Sequence, residues 1–415
     1  MIQKIKSGAI KSVIAGLLIT GSCLALHYSA FAQQTGEKIY VHTDKDEYLA
    51  GELLWFRSHL VDPLSLKPSA NHTIVYTELV DSKGKSMLQG KVASGNNSGD
   101  GSFYLPPQLP SGTYTLTAYT TPLKKAGPKY YFRKSIRIIN TLSTSKIIPA
   151  AQKQTTAFIG FFPEGGNVLT GELTKVGFCV LEPASKKGLQ ASGVITNEKN
   201  DTVARFQTLR FGLGQFTFTA QKDEKYMASI VLNDGTQIKK EFTPLTGNNA
   251  YALSVSEQNN HFLIKSRVNQ TIAVNGSKAY LLFHAQNQSK HLVEIDLKEK
   301  GSHDYQIDKN KLGDGVTTIT LLDADREPVC ERLVFNTPTT PTGSIVVKTD
   351  KTVFTKRENI RIEASLNNPT DTTQSFNGSL AVTRRDPSQR EATSGIYEYL
   401  WLTAGLNGQV ESPSF

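Results

Sequence analysis

Period-two alternation of apolar and polar side chains most constrains what this 415-residue chain can fold into. From Leu53 to Val61, Leu54, Phe56 and Leu60 fall on one side, with Arg57 and His59 on the other. Tyr114, Leu116 and Ala118 repeat the pattern, with Thr115 and Thr117 between them. Such text fits strands buried on one face. Short runs rich in Val, Ile, Thr, Tyr and Phe recur, separated by turn residues roughly every 8–12 positions. The spacing predicts an all-β chain of tandem immunoglobulin-like sandwiches, not βαβ units.

Four blocks follow from the pattern. The first, 37–140, has strands at 39–43, 53–61, 74–80, 114–119 and 130–139, with a turn at Ser82-Lys83-Gly84-Lys85. Asn96 to Gly101 reads as a loop tolerant of positive φ. A polar linker, Asn140 to Thr156, leads to the second block, 157–245. It opens on Phe161-Phe162-Pro163-Glu164-Gly165-Gly166 and has strands near 174–181, 203–209, 215–220 and 226–232. Glu164-Gly165-Gly166 reads as a tight reversal, because glycine reaches positive φ cheaply. The third block, 249–337, has strands near 262–268, 278–285, 292–297 and 316–322, and ends on Arg332-Leu333-Val334-Phe335. A linker with two prolines, Thr337 to Gly343, separates it from the fourth, 344–415.

The fourth block repeats the opening of the first at a constant offset of 306. Val41, Thr43, Asp44 and Lys45 correspond to Val347, Thr349, Asp350 and Lys351. Tyr48 aligns with Phe354 and Glu52 with Glu358; Leu54, Phe56 and Leu60 align with Ile360, Ile362 and Leu366. A fixed offset of this kind marks related domains. Ile396, Tyr399, Leu400 and Thr403 fall at helical spacing and predict a short helix. About 70 residues remain after the linker, where a sandwich takes about 100, so this block is expected to be incomplete and the natural chain to continue.

At the N-terminus, Lys4, Lys6 and Lys11 precede or border an apolar run from Val13 to Leu26, and Ala30-Phe31-Ala32 stands before Gln33. This predicts a secretory signal peptide over 1–32. Its core is short of the roughly 20 residues that span a bilayer. Cys23 offers a lipoprotein alternative, but Thr20 replaces the usual branched apolar residue three positions upstream. No later stretch is long enough for a transmembrane helix, so the expectation is export to the periplasm, outer membrane or cell surface. Without the three signal lysines the formal charge falls from +9 to +6. The cations are scattered without aromatic interleaving, which points away from nucleic acid. Cys179 and Cys330 lie in apolar text and read equally as one disulfide or two buried thiols.

Reactive constellations are missing from this text. The histidines of the mature chain are 42, 59, 72, 261, 284, 291 and 303, with no HxxxH or HExxH spacing. His42 and His59 lie on strands and could meet in space. There is no GxSxG elbow or P-loop, and Gly212-Leu213-Gly214 reads as a turn. Asp44, Asp46, Glu47 and Glu52 form an acidic cluster, but only Asp44 and Glu52 recur in the repeat. That favours Asp44 as a turn acceptor, with Lys45 exposed, over a calcium ligand. The expectation is a chain with no catalytic residue, cofactor or metal, hence no enzyme.

The motifs resemble a family. Thr43-Asp44-Lys45-x-x-Tyr48-x-x-Gly51-Glu52-x-x-Trp55-Phe56 resembles the opening of the second macroglobulin domain of the alpha-2-macroglobulin superfamily. Gly101-x-Phe103-x-Leu105-Pro106 and Leu109-x-x-Gly112-x-Tyr114 are similar to later strands of that domain. Pro163-Glu164-Gly165-Gly166 and Glu331-Arg332-Leu333-Val334-Phe335 resemble large envelope proteins of Bacteroidetes-type bacteria, in which a TonB-receptor plug-like domain often follows. The resemblance implies macroglobulin-like sandwiches and protein or peptide partners: proteases for an endopeptidase inhibitor, or an outer-membrane transporter for a TonB-dependent system. Neither Cys179 nor Cys330 is followed by Glu-Gln, so the thioester of trapping members is absent. The candidate protease-sensitive loop is Arg384-Arg385-Asp386-Pro387-Ser388-Gln389-Arg390.

Overall fold

The computed structural model describes residues 36–142 (apart from 64, 70, 72, 96 and 97), 156–244, 251–269, 278–338 (apart from 286–287 and 298–300), 344–367, 377–383, 395–406 and 410–413. The expected signal segment, most of the two linkers, and Arg384, Arg385 and Arg390 lie outside the described residues. The fold is all-β, a tandem of three sandwiches followed by a two-stranded sheet.

The first sandwich comprises β1 (Lys38–Thr43), β2 (Glu47–Leu49), β3 (Leu53–Val61), β4 (Thr73–Val80), β5 (Ser86–Ser94), β6 (Ser98–Tyr104), β7 (Gly112–Tyr119) and β8 (Phe132–Ile139). Its sheets are ordered β1-β3-β6 and β2-β8-β7-β4-β5. The second uses β9 (Phe158–Pro163), β10 (Leu173–Leu181), β11 (Ala191–Thr196), β12 (Thr202–Gln207), β13 (Leu213–Thr219), β14 (Tyr226–Leu232) and β15 (Gln237–Phe242), ordered β9-β10-β13 and β12-β11-β14-β15. The third uses β16 (Tyr251–Gln258), β17 (His261–Val268), β18 (Lys278–Ala285), β19 (Gln288–Asp296), β20 (Ser302–Asp308), β21 (Gly315–Leu322) and β22 (Pro328–Asn336), ordered β16-β17-β20 and β19-β18-β21-β22. All three share one topology: the first, second and fifth major strands make one sheet and the other four make the second. The fourth strand pairs with the third, unlike the four-plus-three division of constant-type immunoglobulin domains. Among the described residues, only the first sandwich adds a strand of the kind of β2, which runs parallel to β8.

Alternation sets each core. In β3, Leu54, Phe56 and Leu60 are buried while Leu53 and Trp55 are exposed. Burying such a side chain stabilises by about 1.5–3 kcal/mol. Tyr114, at the start of β7, donates its hydroxyl to Pro110 O at 2.9 Å and pins that corner. The second core is a phenylalanine stack in which Phe161, Phe178, Phe206, Phe216 and Phe242 meet at centroid distances of 4.8–6.2 Å.

Two expectations for the first block are overturned. Ser98 to Gly101 belong to β6, paired with Phe56–His59, and are not a loop. The glycines serve close packing here: a Cβ on Gly101 would stand 2.4 Å from the Phe56 ring, and one on Gly99 2.6 Å from Val92. The last strand starts at Phe132, not Tyr130. Before it come α1 (Thr121–Ala126), with Thr120 accepting the Leu123 N–H as its N-cap, and a 3-10 turn over Pro128–Tyr130.

In the fourth block, β23 (Ser344–Thr349) pairs with β24 (Ile362–Asn367). The register is that of β1 with β3 shifted by the repeat offset: Lys38 faces Val61, and Ser344 faces Asn367. The predicted helix forms as α2 (Ile396–Trp401) and tightens to 3-10 over Thr403–Gly405.

The C-terminal segment touches all three sandwiches. Lys38, Tyr40 and His42 are successive outward residues of β1. Lys38 Nζ donates to Leu400 O at 3.4 Å, the Tyr40 ring lies 5.7 Å from Tyr399, and His42 Nδ1 is 2.7 Å from Ser379 Oγ. Trp401 O sits where a side chain on Gly315 of the third sandwich would be. Glu411 accepts the Gly188 N–H of the second at 2.8 Å.

Candidate functional site

Thr43, Asp44, Lys45, Tyr48, Gly51 and Glu52 form a clasp between β1 and β3. Asp44 Oδ1 accepts the Trp55 N–H at 3.0 Å and the Tyr48 hydroxyl at 2.6 Å. Burial, and then the Asp44 carboxylate, push the Tyr48 phenol well above its ordinary range. Lys45 is not free in solvent as expected: it pairs with Glu52 at 2.8 Å, and Glu52 also accepts the Leu49 N–H. Gly51 takes a φ of 95° in the intervening turn. Asp46 and Glu47 pair instead with Lys134 and Arg137. These carboxylates are thus committed to cations and strand amides. The repeat rebuilds the clasp: Asp350 accepts the Arg361 N–H, Lys351 pairs with Glu358, and Glu358 accepts the Thr355 N–H. Arg357 occupies the Gly51 position with a φ of 67°.

Pro163, Glu164, Gly165 and Gly166 form the joint between the second and third sandwiches. Gly165 and Gly166 have φ of 80° and 93°, the expected reversal. The reversal drives Glu164 into the joint, where its buried carboxylate meets Arg332 at 3.3 Å and Lys175 at 3.8 Å and accepts the Val255 N–H at 3.2 Å. A Cβ on Gly165 would lie 2.5 Å from Leu253 O, so the third sandwich fits only against glycine there. Asn167 adds a bond to Val329 O at 3.1 Å.

Cys179 and Cys330 are separate buried thiols. Burial pushes Cys330 up to about 12, and Cys179 rises for the same first reason. Neither has the lowered pKa of a reactive cysteine.

His42 and His59 do meet, through a residue that sequence reasoning missed. Register places His42 opposite Arg57 and His59 opposite Tyr40, so the two are diagonal neighbours on the outer face of β1-β3-β6. Ser379 Oγ lies between them, 2.7 Å from His42 Nδ1 and 3.2 Å from His59 Nε2. Asn377 accepts from Arg57 at 2.8 Å, and Arg57 also pairs with Asp100 at 2.9 Å. Burial, Arg57 and His42 hold His59 down to about 4, against Asp100. Burial and Lys134 lower His42, against Asp46 and Asp44. Among the described residues, no group of three or more His, Cys, Asp or Glu is placed to hold a metal ion.

One cleft remains. β9 and β15 are edge strands of opposite sheets on the same side of the second sandwich. Between them lies a cleft of about 490 Å³, lined by Phe161, Phe162, Pro163, Gly166, Lys240 and Phe242 among others. Phe162 is exposed at its mouth, whereas Phe242 forms its floor. Lys240 crosses the seam to donate to Ile159 O, capping one end of the β9 edge as lysines commonly do. The Pro163 reversal places the joint with the third sandwich at the other end.

No protein-family model matches the chain, and no curated protein does. Among solved structures, a Salmonella alpha-2-macroglobulin mutant matches at 10% identity and a TM-score of 0.22, covering 80% of this chain and 25% of that one. Trypsin-activated alpha-2-macroglobulin from Escherichia coli matches at 11% identity and 0.24, over 80% and 26%. Dimeric latent PorU from Porphyromonas gingivalis matches at 9% identity and 0.33, over 73% and 34%. The chain thus spans about a quarter of the length of the macroglobulin structures named here. Scores this low assign it neither a family nor an activity.

Proposed function

We propose that this chain is an exported, non-catalytic binding and spacing protein whose second sandwich takes an extended segment of a protein partner at the β9–β15 cleft. The observation that carries the reading is the pair of strand edges, unpartnered among the described residues, that flank an apolar cleft. Strand addition uses free backbone groups for affinity and apolar pockets for alternate side chains. Phe162 and the Phe161–Phe242 floor supply the pocket, and Lys240 keeps part of the edge closed to unspecific pairing. The partner is either a protease, for an inhibitor of macroglobulin type, or an outer-membrane transporter of a TonB-dependent system.

The non-catalytic part of the reading has its own support. Ser379 with His42 is the arrangement most like a nucleophile and its base. A general base must become an imidazolium, and burial and then Lys134 oppose that charge on His42, against Asp46 and Asp44.

The test uses fluorescein-labelled ten-residue peptides with alternating apolar side chains, read by polarisation. Saturable binding, weakened at least tenfold by Phe162→Asp and unchanged by His59→Gln, is the expected result. If no such peptide binds, or Phe162→Asp binds like the parent, the cleft is not a strand-docking site.

A further inference from the structure

We infer, resting on the cleft as a strand-docking site, that the segment it takes is a short strand added parallel to β15, with an acidic, an apolar and a basic residue in succession along it. Of the two edges, β15 is the more open. In β9 the Glu164 N–H donates to Lys175 O, so the even-numbered residues face β10 and the odd-numbered ones face the seam. Ile159 O already accepts from Lys240, Pro163 has no N–H, and Pro163 O accepts the Gly166 N–H. In β15 the phase is set by the Leu232 N–H, which donates to Thr236 O at 2.9 Å. Ile238, Lys240 and Phe242 therefore bond to β14, while Gln237, Lys239 and Glu241 turn their backbone groups outward.

The side chains along that edge carry opposite charges. Lys239 and Glu241 are exposed on the outer face, whereas Ile238 and Phe242 turn to the core. Their neighbours across β14 are Ser229 and Met227, so the adjoining strand answers neither charge. The first sandwich shows the complement on the corresponding edge. There β2 runs parallel to β8, with Glu47 opposite Arg137 and paired with it at 3.1 Å. Tyr48, the next residue of β2, is 2% exposed in the core. Among the described residues, the second sandwich adds no such strand to β15. A parallel segment on β15 sets its acidic residue beside Lys239 and its basic residue beside Glu241. The apolar residue between them falls opposite Lys240, over the Phe161–Phe242 floor. Opposite charges on neighbouring strands favour this match, and like charges oppose it.

Two fluorescein-labelled ten-residue peptides of identical composition test this by polarisation at low salt. They share alternating apolar side chains and differ only in a central Asp-Phe-Lys or Lys-Phe-Asp. The parent should bind the Asp-Phe-Lys peptide about fivefold more tightly, and high salt should narrow the gap. The double variant Lys239→Glu, Glu241→Lys should invert the preference. Equal affinity of the two peptides for the parent overturns the inference, as does a preference that survives the charge exchange. In both cases saturable binding that Phe162→Asp weakens leaves the cleft itself standing. A parent that favours Lys-Phe-Asp overturns the parallel order. Binding of neither peptide overturns the strand-docking site and this inference together.

Discussion

Removing the Asp44 carboxylate leaves the Trp55 N–H and the Tyr48 hydroxyl without their acceptor. Asp44→Ala is expected to cost the first sandwich about 2–3 kcal/mol, seen as a lower urea midpoint at unchanged slope. Asp350→Ala should cost less, because Phe354 has no hydroxyl to strand. Glu37 presents the opposite case. One of its oxygens accepts from Thr120 at 2.9 Å, while Oε2 is buried without a partner among the described residues. Burial raises its pKa despite the Thr120 bond. A carboxyl raised in the folded state favours folding while protonated, and that contribution is lost as pH climbs through the folded value. Glu37→Gln should therefore gain stability over the parent, by about 1 kcal/mol at neutral pH, with the gap closing in acid. Melting curves of both proteins from pH 4 to 8 check the sign.

Joints and edges are where elements acquire roles that residues alone do not reveal. Glu164→Gln removes the buried charge facing Arg332 and Lys175 but keeps an acceptor for the Val255 N–H. The loss expected is about 2–3 kcal/mol, and hydrogen exchange at that amide should accelerate in proportion to local opening. The glycine reversal at 165–166 was legible from sequence, but its purpose was not. Gly165 is fixed by Leu253, a residue of another sandwich far along the chain. Strands with strong alternation, such as β3, β7, β10 and β18, could be read directly. β15, Gln237-Ile238-Lys239-Lys240-Glu241-Phe242, could not, because an edge strand with a wet outer face carries too few apolar residues to show a period. β6 was hidden by glycines that resemble loop text and serve close packing. α1 has six residues, too few to show helical spacing. The cleft pairs Phe161 with Phe242, and Ser379 reaches His42 across the chain, so neither site has a local signature. The repeat offset, by contrast, carried over intact, down to strand register.

Over the whole molecule, the C-terminal segment ties the sandwiches together, and its histidine contact makes that tie pH-dependent. His42 and His59 are both lowered by burial, His59 to about 4, so the folded contact disfavours their protonated forms. Stability from this source is full above the ordinary histidine value near 6.5 and is lost as pH falls toward about 4. Hydrogen exchange at 377–383 should accelerate over that window, and His59→Gln should flatten the response. Strand order has a mechanical consequence of a different kind. In the first sandwich, β2 near its beginning runs parallel to β8 at its end. Tension applied at the two ends of that domain slides these strands past one another, so their bonds resist together. In the second and third sandwiches the first and last strands lie in different sheets, as β1 and β8 do, but no described strand like β2 joins them, so they yield by peeling, bond after bond. Pulled as a tether, the chain should lengthen first in its middle, while the module nearest the N-terminus holds. Single-molecule stretching would read this as two low-force extension steps before one at higher force.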